Sequence, residues 1–227
     1  MNNLNIKLEN INARIALACA AAGRRPDEIS IVAVSKGQSA DRIRQLHAAG
    51  QVAFGENYLQ AALDKQAQLL DLDLEWHFIG PVQSNKTRAL AGQFHWVQSV
   101  DRAKILQRLS VQRPEGLPEL NICLQVNIDR EEQKSGALPE EIPQLARLAL
   151  SLPRLKLRGL MAIPKMASGG SDATPGFLRM HRLYCQLRED GLALDTLSMG
   201  MSADFEQAIQ AGSTMVRIGS DLFGPRN

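Results

Sequence analysis

The chain has few cysteines and no long run of one charge or of apolar residues. Its three cysteines, Cys19, Cys123 and Cys185, are widely spaced and form no CxxC pair. An odd, scattered set of this kind excludes a disulfide framework and lacks the ligand spacing of a zinc site. We therefore expect free cysteines that behave as small buried hydrophobic residues.

Metal ligands and targeting segments are equally sparse. The four histidines fall in different segments without HExxH-like spacing, so we predict no metal site. The longest early apolar run, residues 15–22, is too short to cross a bilayer, and the N-terminus lacks the basic region of a secretory signal. We expect a cytoplasmic protein with no membrane partner.

The charge pattern argues against nucleic acid as a partner. The formal net charge is +2, and like charges never extend beyond a pair such as Arg24 and Arg25. Binding to a phosphate backbone requires a clustered basic face. The sequence has no such face.

The overall composition is that of an ordinary globular protein. Apolar residues make up 44% and charged residues 22% of the chain, which is close to the averages for folded domains. A length of 227 residues suits one large core better than two domains. We therefore treat residues 1–227 as a single domain.

Short apolar segments alternate with segments of helical spacing. After an opening amphipathic stretch, residues 4–22, the sequence predicts eight strands, at residues 29–35, 52–55, 75–79, 95–98, 120–127, 155–161, 195–198 and 214–218. Helical patterns lie between them, at residues 40–49, 57–70, 85–91, 101–113, 139–151, 177–190 and 202–211.

This alternation implies parallel strands joined by crossover helices. Eight such units in this length predict an α/β fold, a single (β/α)8 TIM barrel with an extra N-terminal helix. A doubly wound open sheet is the alternative. Residues 164–176, rich in glycine and proline, interrupt the pattern, and we expect a mobile, exposed loop there.

A single lysine, Lys36, closes the first apolar strand. In a barrel the C-terminal ends of the strands form the active face, and the period of two places Lys36 above Val32 and Val34. A partly desolvated lysine loses its proton readily and can condense with a carbonyl group. Lys36 is thus either a charge tolerated at the rim or a covalent anchor.

Residues 198–202 and 217–220 close the last two strands with serines and glycines. Barrels often bind phosphate in these two loops, through backbone N–H groups and a helix N-terminus. The alternative is that Ser202 only caps the following helix, with Asp204 and Glu206 complementing its dipole. Those two acids would also oppose a bound phosphate.

Arg217 would project from the last strand on the same face as Met215 and Gly219. A guanidinium at the mouth of a barrel requires a partner. An anion or an aromatic nitrogen would serve, and so would a structural salt bridge with a carboxylate such as Glu56. Asn57 and His77 add polar groups to the same rim, although turn and helix-cap chemistry is the favoured explanation for each of them taken alone.

Six ordered motifs resemble the pyridoxal phosphate homeostasis protein family, nearly from end to end. They are AVSK (33–36), FGENY (54–58), WHFIG with QSNK (76–80 and 83–86), GLMAIP (159–164), LSMGMSAD (197–204) and GSTMVRIG (212–219). The resemblance implies one barrel similar to the N-terminal domain of bacterial alanine racemases, with pyridoxal 5'-phosphate (PLP) held as a Schiff base on Lys36.

The resemblance also implies the roles of the other site residues. Ser202, Gly219 and Ser220 would contact the phosphate, Arg217 would face the pyridine nitrogen, and Asn57, Met161, Ser198 and Met201 would line the pocket. The implied function is that of a carrier or buffer in intracellular PLP (vitamin B6) homeostasis. PLP-dependent apoenzymes are candidate partners, and we expect a monomer.

We expect no catalytic residue and no enzymatic turnover. A PLP ring withdraws electrons most strongly when its pyridine nitrogen is protonated. Arginine is always protonated and cannot accept that proton, so Arg217 disfavours the protonated ring and weakens its ability to stabilise a carbanion. Alanine racemases also use an arginine there, but they add a β-rich second domain and a tyrosine from across a dimer interface. This sequence has only Tyr58 and Tyr184 and ends at Asn227, just past the eighth strand.

Several alternatives stay open. The chain could be a PLP-dependent racemase-like enzyme, a cofactor-free Schiff-base aldolase that uses a barrel lysine, or an interaction protein with the barrel as scaffold. Lys134, in the loop after the fifth strand, is a hypothetical second aldehyde-reactive amine, with a solvated surface charge as the alternative.

Overall fold

The computed structural model describes residues 3–165 and 174–224. Eight parallel strands form a closed barrel in chain order, β1 Ser30–Val34, β2 Ala53–Glu56, β3 Glu75–Phe78, β4 Trp96–Val100, β5 Leu120–Gln125, β6 Leu155–Met161, β7 Thr196–Met201 and β8 Met215–Ile218. The helices are α1 Asn3–Ala21, α2 Ala40–Ala48, α3 Leu59–Gln68, α4 Thr87–Gln93, α5 Ala103–Gln112, α6 Ile142–Ser151, α7 Thr174–Glu189, α8 Phe205–Gln210 and α9 Ser220–Phe223. The predicted (β/α)8 barrel is confirmed, and the open-sheet alternative is wrong.

Pairing of the first and last strands closes the barrel. β1 pairs with β2 on one side and with β8 on the other, where Val32 lies opposite Arg217 and Ala33 lies opposite Ile218. This register brings the end of β1, just before Lys36, next to the end of β8. The closure therefore brings together two segments about 180 residues apart in the sequence, as the barrel topology requires.

The extra N-terminal helix is also confirmed, and it packs on the side of the barrel where the chain closes. Helix α1 buries a stripe formed by Leu4, Leu8, Ile11 and Ile15, at the spacing of one helical face. Helix α1 contacts α2, α8 and α9. Helix α1 thus supports the elements that follow the last two strands.

The barrel interior has an apolar part and a polar part. Val32, Trp96, Cys123, Met161 and Met215 form a small buried cluster inside the strands. A much larger apolar core lies between the strands and the surrounding helices. Four buried polar side chains, His77, Gln98, Ser198 and Arg217, occupy the remaining interior and are connected by hydrogen bonds described below.

Some local expectations differ from the structure. Strand β1 ends at Val34, so Lys36 lies in the turn after the strand. His77 lies inside the barrel and not on the rim. Cys19 and Cys123 are buried as expected, but Cys185 on α7 is only half-buried, and its Sγ lies 3.5 Å from His181 Nε2.

Two further expectations concern the loop and the membrane. The loop expected at residues 164–176 lies largely outside the described residues, since residues 166–173 are not among them. Within the described part of the chain, none of the helices combines the length and the apolar character that a membrane span requires.

Candidate functional site

A cavity of about 320 Å³ opens at the C-terminal end of the barrel. Its lining brings together seven of the nine residues predicted for the site, which are Lys36, Asn57, Met201, Ser202, Arg217, Gly219 and Ser220. The other two do not line it, because Met161 belongs to the apolar cluster inside the barrel and Ser198 is fully buried behind Arg217. The barrel closure thus gathers residues from both ends of the sequence.

Lys36 reaches this cavity from the turn that follows β1. The next residue, Gly37, has a φ of +73°, a conformation that glycine adopts without steric cost. Immediately before the lysine, the Ser35 N–H donates to the Gly55 carbonyl at 3.0 Å. The half-buried lysine is therefore anchored to β2 on one side and followed by a tight turn on the other.

A buried ion pair lies beneath this strand end. Lys65 Nζ on α3 lies 2.6 Å from Glu56 Oε1 and 2.7 Å from the Ser35 carbonyl oxygen. The Ser35 hydroxyl donates to the same Glu56 oxygen at 2.6 Å. Glu56 therefore pairs with Lys65, and the salt bridge considered for Glu56 and Arg217 is absent among the described residues.

Asn57 follows this pair at the end of β2 and faces the cavity. A Cβ atom on Gly80 would lie only 2.1 Å from the Asn57 carbonyl oxygen, so the two loops can approach this closely only because residue 80 is glycine. Asn57 Oδ1 is buried and has no hydrogen-bond partner among the described residues. Such an orphaned acceptor is costly unless a ligand or water supplies a donor.

Ser202 connects the loops after β7 and β8. Its hydroxyl oxygen accepts hydrogen bonds from the backbone N–H groups of Gly219 at 3.2 Å and Asp221 at 3.4 Å. Helix α8 begins at Phe205, with Asp204 at its N-cap position. The alternative in which Ser202 only caps this helix is therefore wrong.

Gly219 keeps space open at the same edge. A Cβ atom there would lie 3.6 Å from Val34, which also lines the cavity. The backbone φ of Gly219 is −116°, so glycine is not demanded by the backbone conformation. A side chain at this position would instead take up cavity volume.

Neighbouring groups largely offset the negative charges of the acidic residues beside these loops. Arg14 on α1 lies 2.6 Å from Glu206 and 2.5 Å from Asp221. Asp204 is buried and accepts a hydrogen bond from the Met201 N–H at 2.6 Å, and burial raises the pKa of its carboxyl group. The role of Arg14 could not be predicted from sequence patterns, because its partners lie about 200 residues away along the chain.

Arg217 is fully buried at the base of the cavity. Its Nη1 donates to Ser198 Oγ at 2.7 Å and its Nη2 donates to the Ala162 carbonyl at 2.9 Å. Burial lowers the pKa of the guanidinium to about 10, so it stays protonated at neutral pH. A guanidinium has five N–H groups, and those not used in these two bonds can face the cavity.

The two tyrosines lie away from the cavity lining. Tyr58 is 70% exposed at the start of α3. Tyr184 is buried on α7, and its hydroxyl donates to the Leu194 carbonyl at 3.0 Å. Neither lines the Lys36 cavity.

Lys134 lines a neighbouring cavity of about 330 Å³ that shares Asn57, Ile79 and Ile163 with the Lys36 cavity. Its Nζ lies 2.5 Å from Glu131 Oε1. Lys134 is therefore a paired charge next to the candidate site.

The cavity combines groups that suit a phosphorylated aromatic aldehyde. Lys36 supplies an amine, Ser202 and Ser220 supply hydroxyl groups, and Arg217 supplies a buried cation with N–H donors. The orphaned Asn57 acceptor adds a position for a ligand hydroxyl or other donor. The residues present therefore fit PLP in functional groups and in cavity size.

Comparison with known proteins gives close relatives over the whole chain. Residues 6–227 match the family model described as "Alanine racemase, N-terminal domain". The chain is 54% identical to the pyridoxal phosphate homeostasis protein of Pseudomonas aeruginosa, over 100% of this chain and 97% of that protein.

Solved structures agree with this result. The structure of PipY from Synechococcus elongatus with PLP bound has a TM-score of 0.78 and 36% identity, covering 92% of this chain and 100% of that one. An alanine racemase from Clostridium difficile shares the fold at a TM-score of 0.74 and 15% identity, covering 98% of this chain but 56% of the racemase.

Proposed function

Because the chain belongs to the pyridoxal phosphate homeostasis protein family, we propose that it binds PLP through Lys36 in the C-terminal barrel cavity and takes part in PLP homeostasis. The observation that carries this proposal is the convergence of Lys36, Arg217 and Ser202 on one cavity. The PLP bound to PipY, a relative at 36% identity, supports the choice of ligand.

Lys36 is the residue that holds PLP covalently. When bound, PLP supplies an aldehyde carbon that a primary amine can attack. Nζ of Lys36 would be the amine that condenses with that carbon, and the aldehyde oxygen would leave as water with both amine protons. The reverse addition of water releases the ligand, so the same lysine serves binding and delivery.

The other residues bind and orient the ligand. Ser202, Ser220 and the Gly219 backbone receive the phosphate, and Arg217 donates a hydrogen bond to the pyridine nitrogen. Asn57 and Met201 line the remaining wall. Met161 and Ser198 act from behind the cavity surface, as supports of the barrel interior and of Arg217.

The protein acts as a carrier or buffer without turnover of an amino acid. Arg217 stays protonated at neutral pH and cannot accept a proton from the pyridine ring, so it disfavours the protonated ring that withdraws electrons most strongly. Neither tyrosine lines the cavity, so this chain offers no tyrosine for acid–base chemistry beside Lys36.

The partners and setting follow from this role. A carrier must give PLP to other proteins, so PLP-dependent apoenzymes are the proposed recipients. A monomeric state and a cytoplasmic location complete the proposal. Size-exclusion chromatography coupled to light scattering tests the monomer directly.

Absorbance spectroscopy and borohydride trapping test the site. Purified protein mixed with PLP is expected to show a visible band that borohydride removes, and mass spectrometry of the digest is expected to place the reduced adduct on Lys36. Lys36→Ala should lose both signals, whereas Lys104→Ala, which removes an exposed lysine on α5, should keep them. A protein that forms no adduct contradicts the proposal, and carbonyl substrates trapped without PLP would favour the aldolase.

Two readouts separate the remaining alternatives. Racemisation of an amino acid by the wild type, lost in Lys36→Ala, would show that the chain is an enzyme. In the trapping digest, an adduct on Lys134 that persists in Lys36→Ala would identify a second reactive amine, and an adduct on Lys36 alone would make Lys134 a surface charge.

A further inference from the structure

A chain of four hydrogen bonds runs through the barrel interior behind Arg217. Arg217 Nη1 bonds to Ser198 Oγ at 2.7 Å, and Ser198 Oγ bonds to Gln98 Oε1 at 2.7 Å. Gln98 Nε2 lies 2.8 Å from His77 Nδ1, and His77 Nε2 lies 2.7 Å from Glu75 Oε1. The chain thus starts at the candidate cofactor cavity and ends at Glu75, which lines a cavity at the opposite opening of the barrel.

The chemistry of the two end groups fixes the direction of every bond. A guanidinium can only donate, and an ionised carboxylate can only accept. Burial opposes ionisation of Glu75, but the hydrogen bonds from His77 and Trp96 and the electrostatic effects of His77 and His95 together outweigh it, and the pKa of Glu75 is lowered. Glu75 is therefore the accepting end of the chain, and His77 Nε2 carries the proton that it accepts.

The histidine in the middle is neutral. His77 is fully buried, and burial lowers the pKa of its imidazole. With the proton on Nε2, a neutral ring has an unprotonated Nδ1 that accepts from the Gln98 amide. The Gln98 carbonyl oxygen then accepts from the Ser198 hydroxyl, whose oxygen accepts from Arg217. Each of the three neutral groups donates once and accepts once along the chain.

We propose that His77 is a positioning residue of the cofactor cavity, which acts through Gln98 and Ser198 to hold the Arg217 guanidinium in one orientation. The ring is itself held in place, because it stacks on Trp96 with centroids 5.1 Å apart and an interplanar angle of 11°. Gln98 is also held, since its amide lies 3.1 Å from Met215 Sδ. The rigid core of the barrel thereby determines which N–H groups Arg217 presents to the cavity.

The consequence for ligand binding rests on the proposed PLP site. An unsupported guanidinium can rotate and lose a hydrogen bond to its ligand, whereas one held at both terminal nitrogens is preorganised. Ser198 holds one terminal nitrogen and the Ala162 carbonyl holds the other. Only the Ser198 side depends on His77, so loss of the histidine should weaken the orientation of Arg217 without removing it.

The first test uses the protein without PLP, so its outcome does not depend on the proposed function. In ¹⁵N-histidine NMR spectra of the wild type, His77 is expected as the neutral tautomer protonated at Nε2. A ring protonated at Nδ1 or at both nitrogens would overturn the proposal, because Gln98 could then not donate to it.

The second test follows Arg217 in variants, again without PLP. In ¹⁵N-arginine spectra, His77→Phe is expected to speed solvent exchange of the Arg217 Nη protons by about threefold to tenfold, the range for losing one hydrogen bond. Cys123→Ala, a matched change in the barrel interior outside the chain, should leave the rate within about twofold of the wild type. Equal rates in wild type and His77→Phe would overturn the proposal.

A double-variant cycle with PLP distinguishes positioning from a general structural effect. His77→Phe is expected to weaken PLP affinity by about threefold to tenfold in the wild-type background. In the Ser198→Ala background, where the link to Arg217 is already cut, the same change should have no further effect. Additive losses would overturn the proposal, while failure of every variant and of the wild type to bind PLP would count against the proposed function alone.

Discussion

Lys65 and Glu56 form an ion pair beneath the Lys36 strand end, with the Lys65 side chain 10% exposed and the Glu56 side chain fully buried. Both partners also bond to Ser35, through its carbonyl and its hydroxyl. The pair therefore fixes the residue immediately before the candidate anchor. A buried pair of this kind is costly to break, because the remaining charge has no solvent to stabilise it.

Lys65→Met should therefore destabilise the protein strongly. The change leaves the Glu56 carboxylate buried without a cation, for which we expect a loss of about 3–5 kcal/mol in the free energy of unfolding. Urea unfolding followed by circular dichroism measures this quantity. The double variant Lys65→Met with Glu56→Gln removes both charges and should recover most of the loss, and equal losses in the two variants would refute this account.

Gly80→Ala should disturb the site through the backbone. Its new Cβ atom would lie 2.1 Å from the Asn57 carbonyl oxygen, so the Asn57 loop has to move away from the cavity. We expect weaker PLP binding together with a loss of about 1–3 kcal/mol in stability, as is typical for overpacking.

Gly92→Ala on α4 is the matched control for this change. A Cβ atom on Gly92 meets nothing within 4 Å, and alanine favours a helix over glycine by about 1 kcal/mol. This variant should be slightly more stable and bind PLP normally. Fluorescence titration with PLP and urea unfolding check both variants, and normal PLP binding by Gly80→Ala would contradict the role given to this close approach.

The sequence predicts part of the site through periodicity and further cavity residues, such as Ser202 and Ser220, through the family resemblance. The alternation of strands and helices predicts the barrel, and the barrel places the strand ends at Lys36 and Arg217 on one face. Polar side chains that pair across long distances in the sequence show no such periodicity, so the pattern does not predict which of them meet. The link between His77 and Arg217 and the pairing of Lys65 with Glu56 depend on side chains that meet only after the barrel closes. The alternative of Ser202 as a helix cap arose for the same reason, because its partners Gly219 and Asp221 lie in the loop after the next strand.

Arg14→Met should weaken the binding of PLP more than that of pyridoxal. Arg14 offsets the charges of Glu206 and Asp221 beside the loops proposed to hold the phosphate. Without it, those carboxylates repel a phosphate but not the unphosphorylated aldehyde. The three side chains are 30–41% exposed, so we expect an effect on stability below about 1 kcal/mol.

Competitive titrations with PLP and pyridoxal measure the difference. Arg147→Met removes the same charge from the exposed face of α6 and should change neither affinity. Equal weakening for PLP and pyridoxal in Arg14→Met would show that the residue acts on the fold and not on the phosphate.

The stability of the protein should fall as the pH is lowered from 7 to 5. Burial lowers the pKa of His77 and of His95 below the ordinary value of 6.5. The unfolded chain therefore takes up protons in this range that the folded chain does not bind, and the contribution is fully present only above about pH 6.5. Each such proton lowers the free energy of unfolding by at most about 1.4 kcal/mol per pH unit. In urea unfolding at pH 7, 6 and 5, His77→Phe should reduce the slope of the unfolding free energy against pH by the contribution of one proton. A slope unchanged in His77→Phe would mean that the buried imidazole takes up a proton as readily in the folded protein as in the unfolded chain, which the direction of the hydrogen bond from Gln98 does not permit.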